Sequence, residues 1–250
     1  MSLVYSSTSL EKGLKALFME SFNAEDSLAP KLCYVESSAS DKEKYEWLGQ
    51  APQMSELKGT RHVTPLSDTG YTLNNTVYTA TIEVKRTDLD DNQSGSIKRR
   101  IQQMAATASA HVNKLVINAL IDGTSDACYD GTAFFGNSHT ARADEGGTQD
   151  NLLAGSGVTT AAIATDFAAA KAAMLNFKDE AGEPFHGDGA SAFTVVAPPG
   201  LEKNFREVLG ASMISQTSNM QAGMADLQIS PRLSDVNDWY LLRTDSLRGL

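Results

Sequence analysis

Asp90, Asn92 and Ser94 stand at alternate positions of LDDNQSGSIKRRI, residues 89–101, with Gly95 following. That spacing lets alternate side-chain oxygens wrap a calcium ion in an EF-hand loop, where the glycine makes the sharp turn. The loop fails at its twelfth position, where a bidentate Glu should close the cage and Ile101 stands instead. Lys98 and Arg99 also bring positive charge beside the place a cation would occupy. The three oxygen donors are a weak decoy. A strand-to-helix turn explains the stretch more economically, with Asp88, Asp90 and Asp91 near the positive end of a helix dipole and Ser94 as a candidate cap.

No other constellation carries chemistry. His139 lies near Asp130, and an enzyme could draw on that pair, but no nucleophile motif accompanies them. The sequence contains no G-x-S-x-G, no phosphate-cradling G-x-x-x-x-G-K and no paired-histidine helix. His62, His111, His139 and His186 are scattered and read as structural or surface residues. Cys33 and Cys128 form neither a metal pair nor a disulfide framework, which points to a reducing compartment. No catalytic residue, metal ligand or cofactor site is therefore assigned.

Composition narrows the class. Hydrophobic residues at 41% and charged residues at 21% over 250 residues belong to a folded chain able to bury a sizeable core. A net charge of -10 argues against a dedicated nucleic-acid binder, which needs clustered Lys and Arg. The single basic run, Lys98-Arg99-Arg100, reads as the solvated face of a helix. MSLVYSSTSLEKG lacks the pattern of a signal peptide, and no segment is apolar enough for a membrane-spanning helix. A cytoplasmic, soluble protein is expected.

The elements follow from periodicity. Leu10, Leu14, Leu17 and Phe18 predict an N-terminal helix of about three turns, capped by Ser9 and closed by Pro30. KLCYVESS predicts a short strand, followed by a polar link. YTLNNTVYTATIEVKR predicts two extended arms turned at Asn74-Asn75, within a β-hairpin spanning 56–86. An isolated hairpin of that length is marginal in water, so it wants a partner surface. Ile97, Ile101, Met104, Ala108, Val112, Leu115 and Ala119 predict a long helix over 95–122, a spine ended by Gly123 in a left-handed cap. Asp130-Gly131 predicts a turn, with Phe134-Phe135 anchoring the next strand.

Beyond the Gly-rich stretch at 141–157, Ile163, Phe167, Ala170, Met174 and Phe177 predict a second helix, capped by Thr159 or Thr160. AFTVVAPPGLEKNFREVLG predicts a buried strand, a Pro-Pro break and another helix, and LQISPRLSDVNDWYLLRTD two strands joined by a polar turn. The back half is thus α/β around one central sheet.

This order of parts resembles the major capsid proteins of tailed phages, and more closely the Mu-like major head subunit family. The marks are Trp47-Leu48-Gly49, Pro52-Gln53-Met54, Leu57-Lys58-Gly59-Thr60-Arg61, Tyr71, Leu73, Asn74, Asp90-Asp91, and Tyr129-Asp130-Gly131 with Phe134-Phe135 and His139. Leu57 stands where the family pattern expects an aromatic, and Thr140 where it expects a proline. The resemblance implies an α+β Hong Kong 97-type capsid fold: an N-terminal arm and helix (1–55), an extended β-hairpin loop (56–86), a peripheral domain with the spine helix (87–150) and an axial domain (151–250). It also leads one to expect further chain beyond Leu250; a natural variation and a truncation are the two readings of the early stop, and both leave the completeness of the axial domain open.

The same resemblance implies a shell-building protein, not an enzyme, forming pentamers and hexamers of an icosahedral head around double-stranded DNA, touched without sequence preference. Lys58, Arg61, Tyr71, Tyr78, Lys85 and Arg86 of the extended loop are the candidate contacts with neighbouring copies. Scaffold, protease and portal proteins are the implied assembly partners. The implied location is the virion, after assembly in the host bacterial cytoplasm, without membrane contact. A nanocompartment shell on the same fold and a calcium-dependent module are the alternatives.

Overall fold

A long helix needs a sustained apolar repeat, and the one from Ile97 to Ile117 runs through the longest element among the described residues. In the computed structural model, residues 7–38, 40–45, 71–81, 83, 94–128, 131–140, 148–178, 184, 192–214 and 217–245 are described. The chain divides into two compact units, Met1–Val35 with Thr76–Val116, and Glu36–Asn75 with Ile117–Leu250.

In the first unit, helix α1 spans Ser7–Ala24, about five turns. Ser9 therefore lies inside the helix and does not cap it. Phe18 and Phe22, one turn apart, stack at 6.1 Å. Pro30 does not close α1; it sits in the first turn of a short helix α2, Ala29–Leu32, where its missing N–H costs nothing. The strand expected over KLCYVESS does not form. Lys31 and Leu32 belong to α2, and Tyr34 and Val35 are exposed, with no strand beside them among the described residues. β-propensity stabilises a strand only when a neighbour receives it. Asn113 ties this region down instead, its Oδ1 accepting the Leu28 N–H at 2.8 Å while its Nδ2 donates to the Asp26 carbonyl at 3.2 Å.

The two-armed hairpin turned at Asn74-Asn75 is also corrected. In the second unit, strand β1 (Lys42–Tyr45) pairs antiparallel with β2 (Tyr71–Asn74). Asn75 is a stitch and not a turn. Its N–H donates to the Asp41 carbonyl at 3.0 Å, and its Nδ2 to Ser38 Oγ and the Ser40 carbonyl, both at 2.6 Å. Residues 75–81 follow in no strand, with every side chain exposed. Most of 56–86 lies outside the described residues.

Helix α3, Ser94–Asp122, has 29 residues and a length of about 44 Å. Ser94 is its first residue, so the cap position falls on 93, outside the described residues. Ile97, Ile101, Ala105, Ser109 and Ile117 are buried, while the predicted Ala119 is exposed. Gly123 ends the helix as expected but not in the left-handed conformation, since its φ is not positive. Its N–H still donates to the Ala119 carbonyl at 3.1 Å. Glycine is needed there for space: an added Cβ would sit 2.8 and 2.9 Å from two ring atoms of Phe135.

Gly131, at φ +80, makes the turn that brings Phe135 back, and the Phe135 N–H donates to the Gly123 carbonyl at 2.7 Å. Strands β3 (His139–Thr140) and β4 (Thr148–Gln149) pair antiparallel. Helix α4, Thr160–Leu175, is capped by Thr159, whose hydroxyl accepts the Ala162 N–H at 3.3 Å.

Strand β5, Phe193–Ala197, is buried at all five positions. The Pro198-Pro199 break leads through a single 3-10 turn into α5, Glu202–Gly210. A ribbon of β6 (Met213–Ile214) and β7 (Thr217–Ser218) follows, unforeseen in the sequence. Strands β8 (Asp226–Ile229) and β9 (Tyr240–Arg243) flank β5, the first parallel and the second antiparallel, in the order β8-β5-β9. Ile163 and Phe167 of α4, Val195 and Ala197 of β5, and Phe205, Val208 and Leu209 of α5 fill the core between helices and sheet.

Candidate functional site

Among the described residues, no three His, Cys, Asp or Glu side chains converge as a metal cage would require. Asp90 and Asn92 lie outside the described residues, and so does the side chain of Ser94. His139 belongs to a turn lock: its Nε2 is 3.1 Å from the Phe134 carbonyl, which also accepts from Asn151 Nδ2 at 2.7 Å. Asn151 Oδ1 takes the Gly136 N–H at 2.7 Å, closing the loop on itself. Asp130, His62 and His186 lie outside the described residues. Neither Cys33 nor Cys128 is in a disulfide.

One small pocket carries charge. Ile121, Thr124, Leu233, Ser234, Asp235, Asp238 and Tyr240 enclose about 130 Å³. Burial, and then the neighbouring Asp235 carboxylate, raise the Asp238 carboxyl above its ordinary value. Burial also raises the Tyr240 phenol, helped by Asp238 and Asp235. Ligand pockets usually hold about 300 Å³ or more, so this one suits a few waters and no organic substrate.

The surface is more informative. Tyr78 is 57% exposed, with its ring edge-on to His111 at 4.5 Å. Val77 beside it is 86% exposed. Tyr71 lies in β2 opposite Tyr45, its side chain outside the described set. Lys58, Arg61, Lys85 and Arg86 lie outside the described residues. Nothing described brings the six candidate contact residues together.

A second exposed apolar region escaped the sequence reading. Met213, Met220 and Met224, on the β6–β7 ribbon and the turn after it, are all exposed, Met220 at 80%. The available signal was the density of methionine in ASMISQTSNMQAGM, since flexible thioethers are favoured where surfaces must adapt. The turn itself is held firmly. Asn219 Nδ2 donates to the carbonyls of Val208 and Ala211, both at 2.7 Å, and Asn219 Oδ1 accepts the Gln221 N–H at 3.0 Å. Exposed apolar side chains on an anchored frame suit contact with another chain more than chemistry.

The family model described as Mu-like prophage major head subunit gpT matches residues 8–162, more than half of the chain. The Mu-like prophage FluMu major head subunit of Haemophilus influenzae is 32% identical over 147 residues, 56% of this chain and 48% of that protein. The major capsid protein of Escherichia phage Mu is 30% identical over 133 residues, 53% of this chain and 42% of that protein. The chain thus spans about half the length of the curated relatives it matches. A chain from the procapsid of bacteriophage JBD30 superposes with a TM-score of 0.69 at 22% identity, covering 91% of this chain and 100% of its own. A chain from the JBD30 capsid gives 0.66 at 21% identity, covering 92% and 99%.

At such identities the structural likeness speaks for the fold, which is α+β and of the Hong Kong 97 capsid type. Sequence and fold agree, and the chain belongs to the Mu-like prophage major head subunit gpT family.

Proposed function

We propose that this chain is the major capsid protein of a Mu-like phage or prophage. Copies form the pentamers and hexamers of an icosahedral shell around double-stranded DNA. The observation that carries the reading is the family match over residues 8–162, joined to a capsid fold that covers 91% of the chain. The work is mechanical: the chain tiles, bends and resists pressure, and catalyses nothing.

In this reading residues 1–55 are an N-terminal arm, 56–86 an extended loop lying over a neighbouring copy, 87–150 a peripheral domain around α3, and 151–250 an axial domain. The stretch 76–81, in no strand among the described residues, supports the loop assignment. An extended segment with exposed Val77 and Tyr78, and with no strand partner among the described residues, is available to another chain. Tyr71 and Tyr78, with Lys58, Arg61, Lys85 and Arg86, are the proposed contacts. Scaffold, protease and portal proteins assist assembly in the host cytoplasm, and the product is the virion head.

Negative-stain microscopy of the purified protein, alongside its mass in solution, tests the proposal. Rings, tubes or closed shells are expected. A chain that stays monomeric even when its assembly proteins are co-expressed would overturn it, and marked stabilisation by calcium would favour the loop at Asp90, Asn92 and Ser94 instead.

A further inference from the structure

The negative charge of the chain is unevenly placed. The first compact unit contains nine basic and eight acidic residues, a net of +1. The second contains twelve basic and twenty-three acidic residues, a net of -11. The repulsion that keeps an acidic protein from a polyanion therefore belongs almost wholly to the second unit.

Within the first unit, Lys98, Arg99 and Arg100 are exposed at the start of α3. Ile97 and Ile101 on either side are buried, so the helix turns the three cations outward. None has an ion-pair partner among the described residues. A short basic run is by default a solvated helix face. What sets this one apart is the groove beside it. Ala80, Thr81, Arg100, Gln103, Met104 and Thr107 line an open groove of about 370 Å³, with no carboxylate among the described residues that line it.

The Arg100 guanidinium, the Gln103 amide and the Thr81 hydroxyl supply donors there, while Thr107 spends its hydroxyl on the Gln103 carbonyl at 2.9 Å. From Lys98 to Thr107 the strip runs about 14 Å along the helix. Cations in a strip, with neutral donors beside them and no carboxylate in the described lining of the groove, suit a row of phosphates. Two of the three cations are arginines, whose planar fork engages phosphate oxygens in pairs.

We propose that the first two turns of α3 and the adjoining groove form a contact surface for the phosphate backbone of double-stranded DNA, carried by Lys98, Arg99 and Arg100. The inference rests on the capsid reading and gives its DNA partner a specific place on the chain. Contacts of this kind read no sequence, and they are sensitive to salt.

The test uses the full chain and a fluorescent 20-base-pair duplex, with binding followed by anisotropy as salt is raised. The variant K98Q/R99Q/R100Q is compared with K15Q/K114Q/K203Q, which removes the same charge at exposed lysines elsewhere. Circular dichroism establishes that both remain folded. The expected result is a loss of tenfold or more in affinity at low salt for the first variant. Its log–log salt slope should shrink by about 2 to 3, at roughly 0.9 per phosphate contact, while the control moves little.

Equal losses in both variants, or no binding by the unaltered chain, would overturn the proposal. So would unchanged DNA binding with shells lost in the first variant, which would make the strip a contact for the acidic surface of another copy. Microscopy judges the capsid reading separately, since shells can form whether or not the strip binds DNA.

Discussion

Replacing Gly123 by alanine pits two effects of opposite sign against each other. At the end of a helix without a positive φ, alanine should be favoured over glycine by about 0.5–1 kcal/mol, because the unfolded chain has less freedom to lose. The space argues the other way. A Cβ at residue 123 would meet Phe135 Cδ2 at 2.8 Å, Cε2 at 2.9 Å and the Ala119 carbonyl at 3.2 Å. The ring cannot simply swing aside, because it packs on Tyr240 at 5.4 Å and on Phe134 at 5.0 Å. Overpacking of this kind costs about 1–3 kcal/mol, so G123A should be net destabilised by roughly 0.5–2 kcal/mol. In a chain of this size that lowers the melting temperature by roughly 1–8 °C.

Urea denaturation of the unassembled chain, followed by circular dichroism, reads the change. A second variant keeps the cause identifiable: F135L gives the new methyl room, so G123A should cost less in that background, with a coupling of about 1 kcal/mol. A G123A chain more stable than the parent would refute the packing argument and leave helix propensity as the whole story.

Two further outcomes follow from named contacts. N219A leaves the Val208 and Ala211 carbonyls without their donor; it should cost about 1–3 kcal/mol and speed hydrogen exchange across 211–224 while sparing β5. For Asp238, a folded-state pKa raised from 3.8 means that protonation favours the fold, so its contribution is full below that value and falls as pH rises through the raised one. D238N should therefore be more stable than the parent at neutral pH, the gap closing in acid, as melting temperatures across the range would show.

Sequence legibility tracked locality. The burial of β5, the Pro-Pro break, the Thr159 cap and the length of α3 were readable because each is set by residues a few positions apart. The pairing of Lys42–Tyr45 with Tyr71–Asn74 was not, since KEKY has no apolar alternation and its partner is 29 residues away in the chain. Asn74-Asn75 looked like a turn because asparagine suits turns, yet Asn75 spends its side chain on Ser38 and Ser40. Gly123 was placed correctly at the helix end for the wrong reason, because the ring that demands it arrives from residue 135. Of the candidate contact residues, only Tyr78 has a described side chain. The methionine surface at 213–224 carries no fixed spacing to betray it, and the resemblance that did identify the family came from scattered short blocks.

The order β8-β5-β9 also has a meaning in time. β5 is complete once residue 197 has been made, but its two neighbours are not there until residues 229 and 243. At about 5–20 residues per second, a ribosome leaves this buried strand without its second edge partner for roughly 2–9 s. In a cell making many copies at once, neighbouring nascent chains present the same five-residue apolar segment in the same unfinished state. The hazard of pairing with the wrong copy is thus greatest before the protein exists as a subunit.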